Sequence, residues 1–148
     1  MAARILVING PNLNLLGSRE KDIYGNRTWS ELETELEEAA RNLGLEVSFY
    51  QSNHEGELID RIHQAHKENY QMLILNAGAL THYSIALHDA LKAISLPAIE
   101  VHMSNIYQRE EFRHKSYLSP AVVGGIFGFG AISYHLALAA AAQLLKEE

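Results

Sequence analysis

Several groups of residues in this 148-residue chain have types and spacings suited to chemistry. Arg19 and Tyr24 share the stretch Gly10-Pro11-Asn12-Leu13-Asn14-Leu15-Leu16-Gly17-Ser18-Arg19-Glu20, continued by Asp22-Ile23-Tyr24-Gly25. A free phenol has a pKa of about 10, so roughly one in a thousand is ionised at neutral pH. A guanidinium is permanently charged and favours the phenolate. An Arg–Tyr pair on a closing loop can therefore supply a general base. Glu100 and His102 are two apart in Glu100-Val101-His102, and strand alternation puts them on one side. A carboxylate beside an imidazole fixes its tautomer and favours its protonated form, the makings of a general acid. Asn76-Ala77-Gly78-Ala79-Leu80-Thr81-His82 offers an amide and an imidazole that hydrogen-bond hydroxyls. Arg109 and Arg113 lie in Tyr107-Gln108-Arg109-Glu110-Glu111-Phe112-Arg113-His114, which taken alone reads mostly as a solvated charged helix face.

These residues need elements to position them. Apolar strand-like runs alternate with helical periodicity. Strand one is expected at 4–9. The first helix follows the capping box Thr28-x-x-Glu31, with Trp29, Leu32, Leu36, Ala39 and Leu43 on one face, and stops at Gly44. Strand two is expected at 46–51, a helix from about 55 to 68, and strand three at 71–76, a continuous apolar run typical of a buried parallel strand. Helix 84–94, strand 98–102, strand 122–127 and helix 131–146 complete the pattern. Alternating β and α elements imply one domain, residues 1–148, with a parallel sheet covered by helices on both faces. With five strands, the expected class is α/β, a flavodoxin-like doubly wound sheet in the order 2-1-3-4-5. Ligands bind outside the carboxyl ends of such strands. Those ends carry Asn9–Asn12, Asn76–Thr81 and His102–Asn105, all polar, and they are expected to converge. The connection after strand one spans roughly 18 residues, against a median of about 4–6, as lids and binding loops do.

Bulk properties narrow the classes. A net charge of −6 argues against a nucleic-acid partner. The absence of cysteine rules out a disulfide framework and thiolate chemistry and fits a reducing compartment. The start Met1-Ala2-Ala3-Arg4 has no apolar leader, and the alanine-rich run 136–145 is too short to span a bilayer, so a cytoplasmic protein with no membrane partner is expected. Gly124-Gly125-x-x-Gly128-x-Gly130 lacks the Lys-Ser/Thr of a P-loop and follows the wrong strand for a dinucleotide fingerprint; it reads as a tight strand–helix turn. His63 and His66 share a helix face, but no third metal ligand accompanies them.

Taken in order, the loop motif with Arg19-Glu20 and Tyr24-Gly25, then Asn76-Ala77-Gly78-Ala79 with Thr81-His82, then Glu100-Val101-His102-Met103-Ser104-Asn105, then Arg109-Glu110-Glu111-Phe112-Arg113-His114, resemble the type II 3-dehydroquinate dehydratases over essentially the whole chain. The resemblance implies a flavodoxin-like fold and loss of water from 3-dehydroquinate to give 3-dehydroshikimate, with no metal, Schiff base or other cofactor. It implies that Tyr24, activated by Arg19, takes the proton next to the ketone. Asn12 would help hold a water on the enolate oxygen, and His102, oriented by Glu100, would protonate the departing hydroxyl. Asn76, Ser104 and the amides of Met103 and Ser104 would hold the carboxylate and nearby groups. His82 and Arg113 would bind ring hydroxyls, Asp89 would reach in from a neighbouring subunit, and the assembly would be a dodecamer of trimers. The chain departs from the family pattern at Lys21, where proline often follows Arg-Glu, at Tyr83 in place of threonine, and at Ser133 in place of glycine. Two rival classes are a non-catalytic flavodoxin-like module for a small anion and a flavin-binding electron carrier.

Overall fold

The computed structural model of the chain describes residues 1–18 and 20–147. Arg19 and Glu148 lie outside the described residues, and Ile23 and Tyr24 are described for their backbone alone. Five strands, β1 (Ala3–Asn9), β2 (Leu45–Gln51), β3 (Met72–Asn76), β4 (Ala98–His102) and β5 (Gly124–Phe127), form a single sheet in the order β2-β1-β3-β4-β5. Every neighbouring pair is parallel, the doubly wound topology expected from the βα alternation. The helices are α1 (Lys21–Tyr24), α2 (Trp29–Asn42), α3 (Glu55–Lys67), α4 (Ile85–Ala93) and α5 (Ile132–Lys146).

Strand alternation sorts the core into two layers. Ile5, Val7, Met72, Ile74, Ile99 and Val101 face one side and pack with Leu32 and Leu36 of α2 and Ala137, Leu138 and Ala141 of α5. Leu6, Ile8, Leu73, Leu75 and Ala98 face the other and pack with Leu58 and Ile62 of α3 and Leu87 and Leu91 of α4. The central strands β1 and β3 are buried on both faces, hence their continuous apolar runs.

Local signals act where the sequence places them. The Thr28 side chain accepts the Glu31 N–H at 3.2 Å and starts α2. On that helix the buried stripe is Leu32, Leu36 and Ala40, while Leu43 sits exposed at the C-cap. Gly44 ends it with φ of 75°. The long connection after β1 is partly ordered by a 3-10 turn, Leu13–Leu15, and by the one-turn helix α1. The 107–114 run forms two short 3-10 turns, Ile106–Gln108 and Glu111–Arg113, rather than a helix. Ser133, a departure from the family pattern, is buried, and its Oγ accepts the Phe129 N–H at 3.1 Å, closing the β5–α5 turn. Among the described residues no helix is long and apolar enough to cross a membrane.

Candidate active site

The carboxyl ends of β1, β3 and β4 open on one cleft of about 550 Å³, counting its mouth. It is lined by Asn12, Asn76, His82, His102, Met103, Ser104 and Arg113 of the expected site residues, together with Arg109. The two loops that floor it touch through main chain. Gly10 N–H donates to the Asn76 carbonyl at 2.7 Å. A Cβ on Gly10 would stand 2.4 Å from the Ala77 carbonyl oxygen, so glycine is required there.

Asn12 holds a left-handed backbone, φ 71°, which asparagine tolerates better than most residues. Its N–H donates to Asn53 Oδ1 at 3.0 Å, and Gln51 Nε2 donates to both Asn53 Oδ1 and the Gly10 carbonyl, each at 3.1 Å. The end of β2 thus pins the start of the long loop.

Glu100 and His102 project to the same side of β4, and His102 Nε2 meets Glu100 Oε2 at 2.5 Å. The carboxylate also accepts from Ser116 Oγ on Oε2 and from Ser119 Oγ on Oε1, each at 2.8 Å. Burial pushes the Glu100 carboxyl up, but His102 and the two hydroxyls outweigh it and hold the group below its ordinary 4.5. An anionic Glu100 makes Nε2 the donor, on a ring that lines the cleft. His82 stacks against this ring, centroids 6.1 Å apart and planes 22° apart. Its Nδ1 lies 2.8 Å from the Lys115 carbonyl. A carbonyl only accepts, so Nδ1 carries the proton and neutral His82 has Nε2 as an acceptor. Burial is the largest influence on His82 and lowers it below the ordinary 6.5; His102 and Arg113 add to this, while the Lys115 carbonyl and Glu100 oppose it.

After β4, the His102 carbonyl accepts from Gly128 N–H at 3.2 Å and the Met103 carbonyl from Gly130 N–H at 2.8 Å. Trans peptides then turn the N–H groups of Met103 and Ser104 away from that turn.

Arg109 is a correction to the sequence reading. Its side chain is only 12% exposed, and it reaches Ser104 Oγ at 3.3 Å and Glu20 Oε2 at 3.4 Å. It ties the residue just before α1 to the cleft instead of forming a solvated face. Arg113 also lines the cleft, held by Glu110 Oε1 at 3.1 Å and lying over the Phe112 ring. Asp89 is exposed on α4 and is not among the residues lining this chain's own cleft. Arg19 and the Tyr24 side chain lie outside what is described.

Sequence reasoning missed Ser116, Ser119 and Tyr134, and gave Asn9 no more than a place among the polar strand ends. Tyr134 is fully buried, and its hydroxyl lies between Asn9 and Asn76. A polar-tipped aromatic opening an alanine-rich helix was the one available signal for it.

A parallel sheet in this order, with a buried Glu–His pair at its carboxyl edge, defines a flavodoxin-like α/β fold. Residues 3–142 match the family model described as dehydroquinase class II, and the chain belongs to that family. It is 56% identical over 142 residues to the 3-dehydroquinate dehydratase of Caldicellulosiruptor bescii, covering 96% of this chain and 98% of that one. Against the 3-dehydroquinate dehydratase of Clostridium perfringens (strain ATCC 13124) identity is 53% over 143 residues, covering 97% and 99%. The crystal structure of the type II dehydroquinase of Butyrivibrio crossotus superposes with a TM-score of 0.92 at 47% identity, covering 94% of this chain and 97% of that one.

Proposed function

We propose that this chain is a 3-dehydroquinate dehydratase, a hydro-lyase of the shikimate pathway that converts 3-dehydroquinate to 3-dehydroshikimate. The observation that carries the reading is the buried Glu100–His102 pair opening on the same cleft as Asn76, Ser104 and Arg113. Loss of water next to a ketone needs a base for a weakly acidic carbon, stabilisation of an enolate and an acid for a poor leaving group. Tyr24, activated by Arg19, takes the proton from the carbon next to the ketone; the C–H electron pair becomes the C=C bond of the enolate and the carbonyl π pair moves onto the ketone oxygen. Asn12 holds a water against that enolate oxygen. The ketone re-forms as the C–O bond breaks, and His102, oriented by Glu100, gives its proton to the departing hydroxyl, which leaves as water. The proton gained by Tyr24 returns through solvent to His102, so one water is lost per turnover. Asn76, Ser104 and the amides of Met103 and Ser104 hold the substrate carboxylate, and His82 and Arg113 hold ring hydroxyls. The scheme uses neither metal nor imine.

The same reading places the enzyme in the cytoplasm as a dodecamer of trimers, with Asp89 of the partner subunit completing each site. Supporting this, Asp89 sits on α4 near the exposed Tyr83 and Ile85, and a further apolar surface, Val123, Phe127, Phe129 and Ile132, surrounds the edge strand β5. The test is a spectrophotometric assay for enone formation from 3-dehydroquinate. Turnover that survives chelator and borohydride is expected. A folded, associated protein that binds the acid without forming enone would refute the reading and leave a small-anion binding module.

A further inference from the structure

The register of the sheet sets Asn9 directly beside Asn76 at the carboxyl ends of β1 and β3. Both continue the alternation that turns Ile5, Val7, Met72 and Ile74 toward α5. Both amides therefore meet Tyr134, which is 1% exposed in the first turn of that helix. Tyr134 O–H donates to Asn9 Oδ1 at 2.6 Å, and Asn76 Nδ2 donates to the Tyr134 oxygen at 2.8 Å. At the other end, Asn76 Oδ1 accepts the Gly78 N–H at 3.2 Å. The donor sense runs one way through the chain, from Gly78 to Asn76 to Tyr134 to Asn9. Flipping the Asn76 amide would set its NH₂ against the Gly78 N–H and reverse the polarity that Tyr134 meets. The arrangement is not one that stability alone favours. Asn9 Nδ2 is buried without a hydrogen-bond partner, and a half-satisfied polar network costs more than an apolar core.

We infer that Tyr134 is a positioning residue for the substrate's acidic end. It fixes the Asn76 carboxamide with its oxygen on Gly78, so that the second N–H of Asn76 is available to a carboxylate in the cleft that Asn76 lines. This rests on the proposed role of Asn76 in holding the carboxylate.

The test is a cycle of Tyr134→Phe, Asn76→Ala and the double variant, with KM and kcat for 3-dehydroquinate measured on protein checked for folding by circular dichroism and assembly by sizing. Tyr134→Phe is expected to raise KM about tenfold with kcat changed less than about threefold, the scale of one lost hydrogen bond to a charged group. In the Asn76→Ala background it is expected to change KM by less than about twofold, because a residue acting only through Asn76 has nothing left to position. Unchanged KM in folded Tyr134→Phe overturns the inference, as does an equal penalty in both backgrounds. If Asn76→Ala itself leaves KM unchanged, the role of Asn76 fails and the inference falls with it; if Asn76→Ala raises KM and Tyr134→Phe does not, only the positioning fails. Should Tyr134→Phe not fold, Asn9→Ala removes the hydroxyl's acceptor at the far end of the chain. A rise in KM that vanishes in the Asn76→Ala background then supports the inference, and an unchanged KM overturns it.

Discussion

Replacing Glu100 by glutamine is expected to remove one charge and almost nothing else. Ser116 Oγ donates to Glu100 Oε2 while accepting the N–H groups of Leu118 and Ser119, each at 3.1 Å. Its lone pairs are committed, so it cannot turn to accept from an amide NH₂. A glutamine must therefore keep its oxygen on the side shared with Ser116 and His102 and present its NH₂ to Ser119, whose hydroxyl can rotate. The shape, the His102 contact and the ring orientation survive, and the anion does not. The pair is nearly dry, with side chains 8% and 5% exposed, so solvent screening gives no discount. A hydrogen bond to a charged group contributes about 1.5–3 kcal/mol, which at 1.36 kcal/mol per decade is a loss of about 10- to 150-fold in kcat. KM should move little, because Glu100 faces His102 and the serines rather than the residues proposed to hold the substrate carboxylate. Enone formation under saturating 3-dehydroquinate measures this directly. A Glu100→Gln enzyme with kcat within threefold of the parent would show that an uncharged partner serves His102 as well, and the reasoning would be refuted.

Tyr24→Phe is expected to fold, bind a substrate-like acid and lose on the order of 100-fold or more in turnover; near-parental turnover would remove Tyr24 as the base. Arg19→Lys should fail comparably, because an ammonium does not reproduce the planar fork. Asp89→Ala and Arg113→Ala, each inactive or weak alone, should regain activity when co-refolded as mixed assemblies, and recovery no greater than the sum of the separate variants would mean that the site is not shared. Both Glu100 and His82 are lowered on folding, so the unfolded chain binds more protons and stability falls as pH drops. Melting temperature should begin to decline below pH 6.5 through His82 and again below 4.5 through Glu100; Glu100→Gln should flatten the lower segment and, with the charge that opposes the lowering of His82 gone, preserve the upper one.

The elements were legible because each signal was local, and the sheet order followed from their five-fold β–α alternation. Apolar runs such as 72–76 are the length of a buried strand, and Thr28 and Gly44 bracket a helix by chemistry that needs no tertiary context. The Glu100–His102 pair was legible for the same reason, since two residues apart on a strand means one face. Its support was not. Ser116 and Ser119 are 16 and 19 positions downstream in an irregular segment with no periodicity to place them. Arg109 was misread because the charge-run argument assumes a helix, and the two 3-10 turns there aim successive side chains differently. Leu43 is exposed for a simpler reason: a C-cap residue has left the helix, so helical spacing no longer says which way it faces.

The contact between Gly10 and Ala77 bears on how the sequence can drift. The atom that a side chain at position 10 would strike is a carbonyl oxygen, not the tip of a flexible residue. No substitution elsewhere can shorten a main chain, so a genetic screen for second-site suppressors of Gly10→Ala has no neighbouring side chain to trim. Position 10 therefore stays closed to any change of ligand preference.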